Sequence, residues 1–318
     1  MAYKEYFLGK RQRLSWVDET SYGVGGDMDA DGEVIGYNAI ITPNFNQNWQ
    51  EILSAGADTR AVEDNVVGPL SYPFTLTFTP VNWKFLKYLG YSVVNAGVGP
   101  YTHTFSLQNK IQSFKLEWAR RASTPSVITI IGAVVSSGTI EFAKPAGAGK
   151  SNIVVTLNCY AKFASNGSVV SSVPALTAAP FQYRHAKIIL NGMEITEVNS
   201  GTIDIDQGLV EEDSRYCNAT LDRTIGEPIP KIQRVTGTFN VNIADSTYWD
   251  LWNAAATIDD CSLNFIQSSS LKLEAEFSGF KLDQPNTAGD FESVLNTDLI
   301  WRATGFSSLI STDDIPTY

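Results

Sequence analysis

Several groups of residues in this chain have types and spacings that chemistry uses. Asp27, Asp29 and Asp31, in the run Asp27-Met28-Asp29-Ala30-Asp31-Gly32, set carboxylates at alternate positions, as the first half of a calcium loop does. Asn38 stands where the bidentate glutamate of such a loop belongs, so a solvated acidic turn competes with the calcium reading. The run AGAGKS, Ala146 to Ser151, imitates a phosphate-cradling loop, but Lys144 occupies the position of its first glycine and a strand begins at Ile153 where a helix is needed. A hairpin turn is expected there. His103 and His185 are the two general-base candidates near neutral pH, each in strand-like sequence with no nucleophile or carboxylate at a motif spacing. His103, between Thr102 and Thr104, reads as a structural hydrogen-bonding residue. Cys159, Cys217 and Cys261 are odd in number and widely spaced, which suggests neither a disulfide framework nor a zinc site. Asn166-Gly167-Ser168 and Asn218-Ala219-Thr220 match a glycosylation sequon that arises often by chance. With no acid–base constellation in view, neither an enzyme nor a bound cofactor is expected.

The elements that would position these residues are strands. Phe114, Leu116 and Trp118 alternate with Lys115 and Glu117, as a half-buried antiparallel strand requires. Ile140 and Phe142, then Ile153, Val155, Leu157 and Cys159, continue the pattern. In the second half Leu271, Leu273, Ala275 and Phe277 alternate with Lys272, Glu274 and Glu276. The longest apolar run, Val127 to Val135, is far shorter than the roughly 20 residues of a membrane helix. The N-terminal MAYKEYFLGKRQRLSW carries basic residues without the apolar run of a secretory signal. A soluble all-β protein with no membrane partner is expected.

The chain also repeats itself. Residues 36–90 lie on 201–255 at a constant offset of 165: Phe74 falls on Phe239, Leu76 on Val241, Phe78 on Ile243, Trp83 on Tyr248 and Leu86 on Leu251. At 318 residues two units of about 150 are the natural partition. Each unit is expected to be a β-sandwich or open barrel with one short helix, Trp83 to Leu89 in the first and Tyr248 to Ala256 in the second. An N-terminal arm of residues 1–35 precedes the first unit, 36–164. The Ser, Pro and Ala-rich stretch 165–180 is the linker, and 181–318 is the second unit. Each copy carries a long polar insertion at the same place, residues 43–69 and 208–234. Connections of that length usually have a function. Trp49 and Ile52 in the first, with Tyr216 and Ile229 in the second, are apolar anchors suited to docking on a neighbouring subunit.

Trp16, Glu19 and Ser21-Tyr22-Gly23, followed by strand, long loop, strand and a helix ending LKYLG, then YTHTF at Tyr101, SFKLEW and a G-x-V strand pair, resemble the tail tube proteins of tailed bacterial or archaeal viruses. The resemblance covers most of the chain and rests on the order of these patterns. It implies rings stacked into a tube, with the inner sheets of each ring forming one barrel around a channel for genome DNA. A duplicated chain is then expected to form a six-fold-like ring from three copies, with tape-measure, terminator and baseplate proteins as further partners, in a virion tail assembled in the host cytoplasm. The long loops would reach the adjacent ring, which makes Trp49, Ile52, Asp58, Arg60, Tyr216, Asp222, Arg223 and Ile229 the inter-ring candidates. With 34 acidic against 23 basic residues, the net charge of −11 opposes a grip on DNA and favours passage without specific binding. Glu117, Glu141, Asp204, Asp206, Glu274 and Glu276, on outward strand faces, are the lumen candidates. The alternative is a two-domain β-sandwich binding module, carbohydrate-binding or adhesin-like, in which Trp49, Trp83 and Trp249 stack on sugars.

Overall fold

The computed structural model describes residues 12–47, 49–52, 64–67, 70–120, 126–145, 151–167, 169–211, 226–242, 247–254, 256–288 and 296–318, the side chains of 49–52, 64–67 and 284–288 excepted. The chain forms the expected all-β sandwich. Eight strands lie side by side in one sheet: β3 (Tyr37–Pro43), β6 (Pro73–Thr79), β11 (Val154–Tyr160), β10 (Ser126–Ala143), β15 (Val198–Asp206), β16 (Arg234–Asn242), β20 (Asn296–Ala303) and β19 (Lys281–Ala288). The N-terminal half of the long strand β10 leaves this path and pairs with β9 (Phe114–Arg120) and β12 (Phe163–Gly167). Strand β1 (Gln12–Asp18) then pairs with β9 and with β2 (Glu33–Val34). The opposing sheet runs β14 (Met193–Ile195), β13 (Ala186–Leu190), β17 (Ser262–Ser268), β18 (Leu271–Ser278), β21 (Gly305–Asp313), β8 (Tyr101–Leu107) and β7 (Tyr91–Ala96). A separate ribbon pairs β4 (Trp49–Ile52) with β5 (Asp64–Val67).

Both large sheets draw strands from either side of residues 165–180, so the 36–164 and 181–318 units do not keep their strands to themselves. One core cluster spans them, from Leu14 to Leu309. Inward aromatics from the two sheets meet across it: Phe142 packs edge-on against Phe265 at 5.6 Å, and Phe277 lies 4.8 Å from Trp301. The segment after β12 is clamped across the first unit, where Ser171 binds Arg13 and Glu117, and Phe181 is fully buried against Trp83.

The repeat is legible in the strand order. Read from β3, the first quartet is β3-β6-β11-β10 and the second is β15-β16-β20-β19, each with its last two strands exchanged relative to chain order. The gapless offset of 165 does not survive the ladder. Phe74 pairs with Pro43, which the offset carries to Gly208, yet Phe239 pairs with Gly201. The long loop absorbs this slip of seven residues, and because seven is odd it reverses which face each residue takes. That is why the offset set buried Ile41 on outward Asp206.

The two repeated helices differ in burial. The first is a 3-10 helix, Lys84–Leu89, whose residues Phe85 to Leu89 are all buried and which ends on Gly90 at φ 87. Its Lys87 is 2% exposed, with Nζ 2.6 Å from Asp18 Oδ2, while the Tyr88 hydroxyl donates to Asp18 Oδ1 at 2.7 Å. Burial and neighbouring Lys84 push the Lys87 ammonium down to about 8, against the pull of Asp18. Burial alone would raise the Asp18 carboxyl, but the Lys87 charge and these hydrogen bonds outweigh it and hold it below 3.8. Asp18→Asn therefore strands a buried cation and should cost about 3 kcal/mol at pH 7, whereas Lys87→Met leaves a carboxylate that is 38% exposed and should cost less than about 1 kcal/mol. Urea melts of the two variants check the asymmetry. Because the folded pKa of Asp18 is depressed, its contribution is present above its ordinary 3.8 and lost as pH falls through the folded value, so the gap between wild type and Asp18→Asn should close in strong acid.

Candidate functional site: a polar sheet face with two open edges

The outer face of the eight-stranded sheet is built by alternation. Ile140, Phe142, Ile203, Ile205, Phe239 and Trp301 point into the core, so the residues between them point out. These are mostly Thr, Ser and Asn, hydrogen-bonded across strands. Thr75 Oγ1 donates to Asn158 Oδ1 at 3.2 Å, Asn158 Nδ2 to Ser137 Oγ at 3.0 Å, and Thr139 Oγ1 to Asp204 Oδ1 at 2.6 Å. Asn240 Nδ2 donates to Asp298 Oδ1 at 2.6 Å. The result is a wetted surface whose donors and acceptors largely satisfy one another. Glu141, Asp204, Asp206 and Asp298 lie on this face. The bases Arg234, Arg302 and Lys281 gather toward its β19 side, where Asp283 engages Arg302 at 2.6 Å.

The six sequence-predicted lumen residues do not come together. Glu141, Asp204 and Asp206 share the polar face. Glu274 and Glu276 stand on the outer side of the seven-stranded sheet, across the sandwich, with Glu274 2.8 Å from Lys272. Glu117 is 4% exposed, pairs with Arg13 at 2.7 Å and accepts from Ser171, so it cannot line an aqueous bore. Alternation set it outward, and the distant segment at Ser171 covers it.

The polar face ends in two edges, β3 and β19, that pair with no further strand among the described residues. Asn44 N donates to Pro73 O and Asn46 N to Ser71 O, both at 2.9 Å. Donors alternate along an antiparallel strand, so the N–H of Ile41 faces the open side. Each edge strand carries one proline, Pro43 on β3 and Pro285 on β19, which is where a sheet tolerates a missing donor and blunts indiscriminate pairing. Inside the chain the equivalent meeting of quartets is already made. β10 pairs antiparallel with β15 from Ser137↔Asp206 to Ala143↔Ser200.

Strand direction alternates across the sheet, so β3 and β15 run parallel and both long loops leave from the same end. Ser71 Oγ donates to Glu211 Oε2 at 2.6 Å, tying the two loop bases together. The first insertion, read as a polar loop, begins and ends as the β4–β5 ribbon, pairing Trp49 with Val67 and Ile52 with Asp64. Of the inter-ring candidates, Trp49 and Ile52 are described by backbone only, and Ile229 is 49% exposed. Asp58, Arg60, Tyr216, Asp222 and Arg223 lie outside the described residues, as does most of AGAGKS.

At the base of the second loop, Gln207 Nε2 donates to Tyr88 O at 3.0 Å and Gln233 Nε2 to Leu89 O at 2.8 Å. Second-copy residues thus cap the carbonyl end of the first-copy helix. Helix α2 (Thr247–Asn253) buries no residue of its own, and Trp249 is 52% exposed. Sequence reasoning missed these glutamines, which no local pattern marks. It also missed the polar face, although polar residues, mostly Thr and Asn, at every second position in PFTLTFT and RVTGTFNVN signal it.

The remaining candidates resolve locally. Asp27 caps the short helix α1 (Met28–Asp31), its Oδ1 accepting from Asp29 N at 3.0 Å, and Asp29 Oδ1 accepts from Ser172 N. Asp27 thus serves as a helix cap, and no group of three His, Cys, Asp or Glu able to hold a metal occurs among the described residues. His103 is fully buried, its ring nitrogens 2.7 Å from Asn95 Oδ1 and 3.1 Å from Asp313 Oδ1, under the stacked ring of Tyr318. Trp83 is also fully buried, 5.1 Å from Phe265, and cannot serve as a sugar platform. Compared with known proteins, residues 9–292 match a family model described as phage tail tube protein. No curated protein matches the chain.

Proposed function

The chain belongs to the phage tail tube protein family, which makes it a structural component of the virion tail, and from that premise we propose that it polymerises into stacked rings around a channel for the genome. The observation that carries this reading is the repeated quartet. β10 meets β15 within the chain, and β19 of one chain can meet β3 of the next in the same antiparallel sense, leaving no open edge when the ring closes. With eight strands per chain, three chains make a barrel of 24. At strand spacings of about 4.8 Å and tilts of about 40°, its backbone diameter is about 48 Å, or about 38 Å after side chains. Two chains would leave about 22 Å, with no room for the water around a duplex.

The polar face then lines the bore, with Glu141, Asp204, Asp206 and Asp298 repelling phosphate, the Thr and Asn residues keeping the wall wet, and the bases Arg234, Arg302 and Lys281 held toward its β19 side, where Asp283 engages Arg302. The role is conduction, not catalysis. The two loops, leaving one end of the sheet together, act as arms toward the next ring, a head-to-tail contact that propagates into a filament. Tape-measure, terminator and baseplate proteins would meet the ends of that filament, and the tail would be assembled in the host cytoplasm. Negative-stain electron microscopy across a concentration series tests the proposal. Hollow tubes or stacked rings are expected, and a chain that stays monodisperse and monomeric at every concentration would overturn it.

A further inference from the structure

We infer that the aromatic side of α2, where exposed Trp249 packs at a tilt against half-buried Trp252, seats on the Phe45–Tyr72 pair of a second copy of this chain. The inference rests on the ring reading and adds to it a specific contact outside the barrel wall. Within the chain, the junction of the two quartets has two parts. One is the β10–β15 ladder. The other is the grip of Gln207 and Gln233, the residues directly after β15 and directly before β16, on the end of the buried 3-10 helix.

The repeat carries both parts to the junction between chains. There β19 meets the neighbour's β3, and α2 takes the place of the 3-10 helix. The residues directly after β3 and directly before β6 are Asn44 and Tyr72. Phe45, one residue on and 37% exposed, packs edge-on against Tyr72 at 5.4 Å. On α2, Trp249 and Trp252 lie 4.9 Å apart, and Trp252 Nε1 donates to Asp283 O at 2.8 Å, which fixes the pair beside β19. Each chain therefore holds an aromatic pair beside one open edge and another beside the opposite edge. The helix that has its neighbouring quartet buries five consecutive residues, and the helix that lacks one within the chain fully buries none. Aromatic pairs meeting in this way are the usual energetic centre of an interface.

The test uses full-length Trp249→Ala, Phe45→Ala and the double variant, comparing the concentration at which rings first form with the melting temperature of the dissociated chain. Each single change should raise that concentration about 10–100-fold with little change in melting, and the double variant should be no worse than either single. Singles that assemble at wild-type concentrations, or effects that multiply independently, would overturn the inference while leaving the ring reading intact. Rings that form normally but fail to stack would move Trp249 to a contact between rings and overturn it too. Failure of the wild-type chain to form rings would instead strike the ring reading itself.

Discussion

Ile41→Pro should leave a folded chain that no longer assembles, whereas Ile41→Ala should still assemble. Both changes remove most of a side chain that is 6% exposed, so both lose core packing worth about 2–5 kcal/mol. They differ at the amide. Because Asn44 donates inward to Pro73, the N–H of Ile41 points away from β6 and makes no ladder bond within the chain. Proline there removes nothing the isolated chain uses, but it deletes a donor and puts a ring in the path of the incoming β19. One lost bond plus an acceptor left buried costs about 2–4 kcal/mol at every junction. That is about a 30- to 1000-fold rise in the concentration needed for assembly. Sedimentation of both variants, with melting curves as the folding control, reads the difference. Equal assembly of the two would show that β3 is not a ring edge.

Gly237→Ala should abolish folding or cost about 4 kcal/mol or more, while Gly167→Ala should be neutral or slightly stabilising. A Cβ on Gly237 would lie 2.2 Å from the Thr202 carbonyl oxygen and 2.4 Å from the Trp301 ring. The first contact is backbone and the second is a side chain locked between Phe239, Phe277 and Phe280, so neither can yield without parting β15 from β16. A Cβ on Gly167 meets nothing within 4 Å, and alanine there mainly reduces the freedom of the unfolded chain. Chemical denaturation of the two variants should move in opposite directions or nearly so. A Gly237→Ala protein as stable as wild type would mean that Trp301 does not fill the inner face below the polar wall.

Local pattern made much of the fold legible. Phe114 and Leu116, Ile140 and Phe142, Ile153 to Cys159 and Leu273 to Phe277 face inward as their alternation requires, because a strand's two faces are set by parity alone. The sharing of sheets was not legible. β21 pairs with β8 through Ile310↔Thr104, and a ladder between such distant segments leaves no trace in either one. Burial of Glu117 by Ser171 fails for the same reason. In the candidate site, Glu141, Asp204 and Asp206 were found because acidic residues alternate with buried apolar ones. The edges β3 and β19 were not, since an edge is defined by a strand that is missing. The repeat was visible in its aromatic positions, but its constant offset hid an odd slip that only the Phe239↔Gly201 pairing reveals.

The most direct test of the central claim is an electron cryomicroscopy reconstruction of the assembled tube at a resolution that separates strands. Three chains per ring, a continuous 24-stranded wall closed by β19 on β3, and Glu141, Asp204 and Asp206 facing the bore are the predicted result. A wall lined instead by Glu274 and Glu276 of the seven-stranded sheet, or rings closed without pairing of β19 and β3, would contradict it.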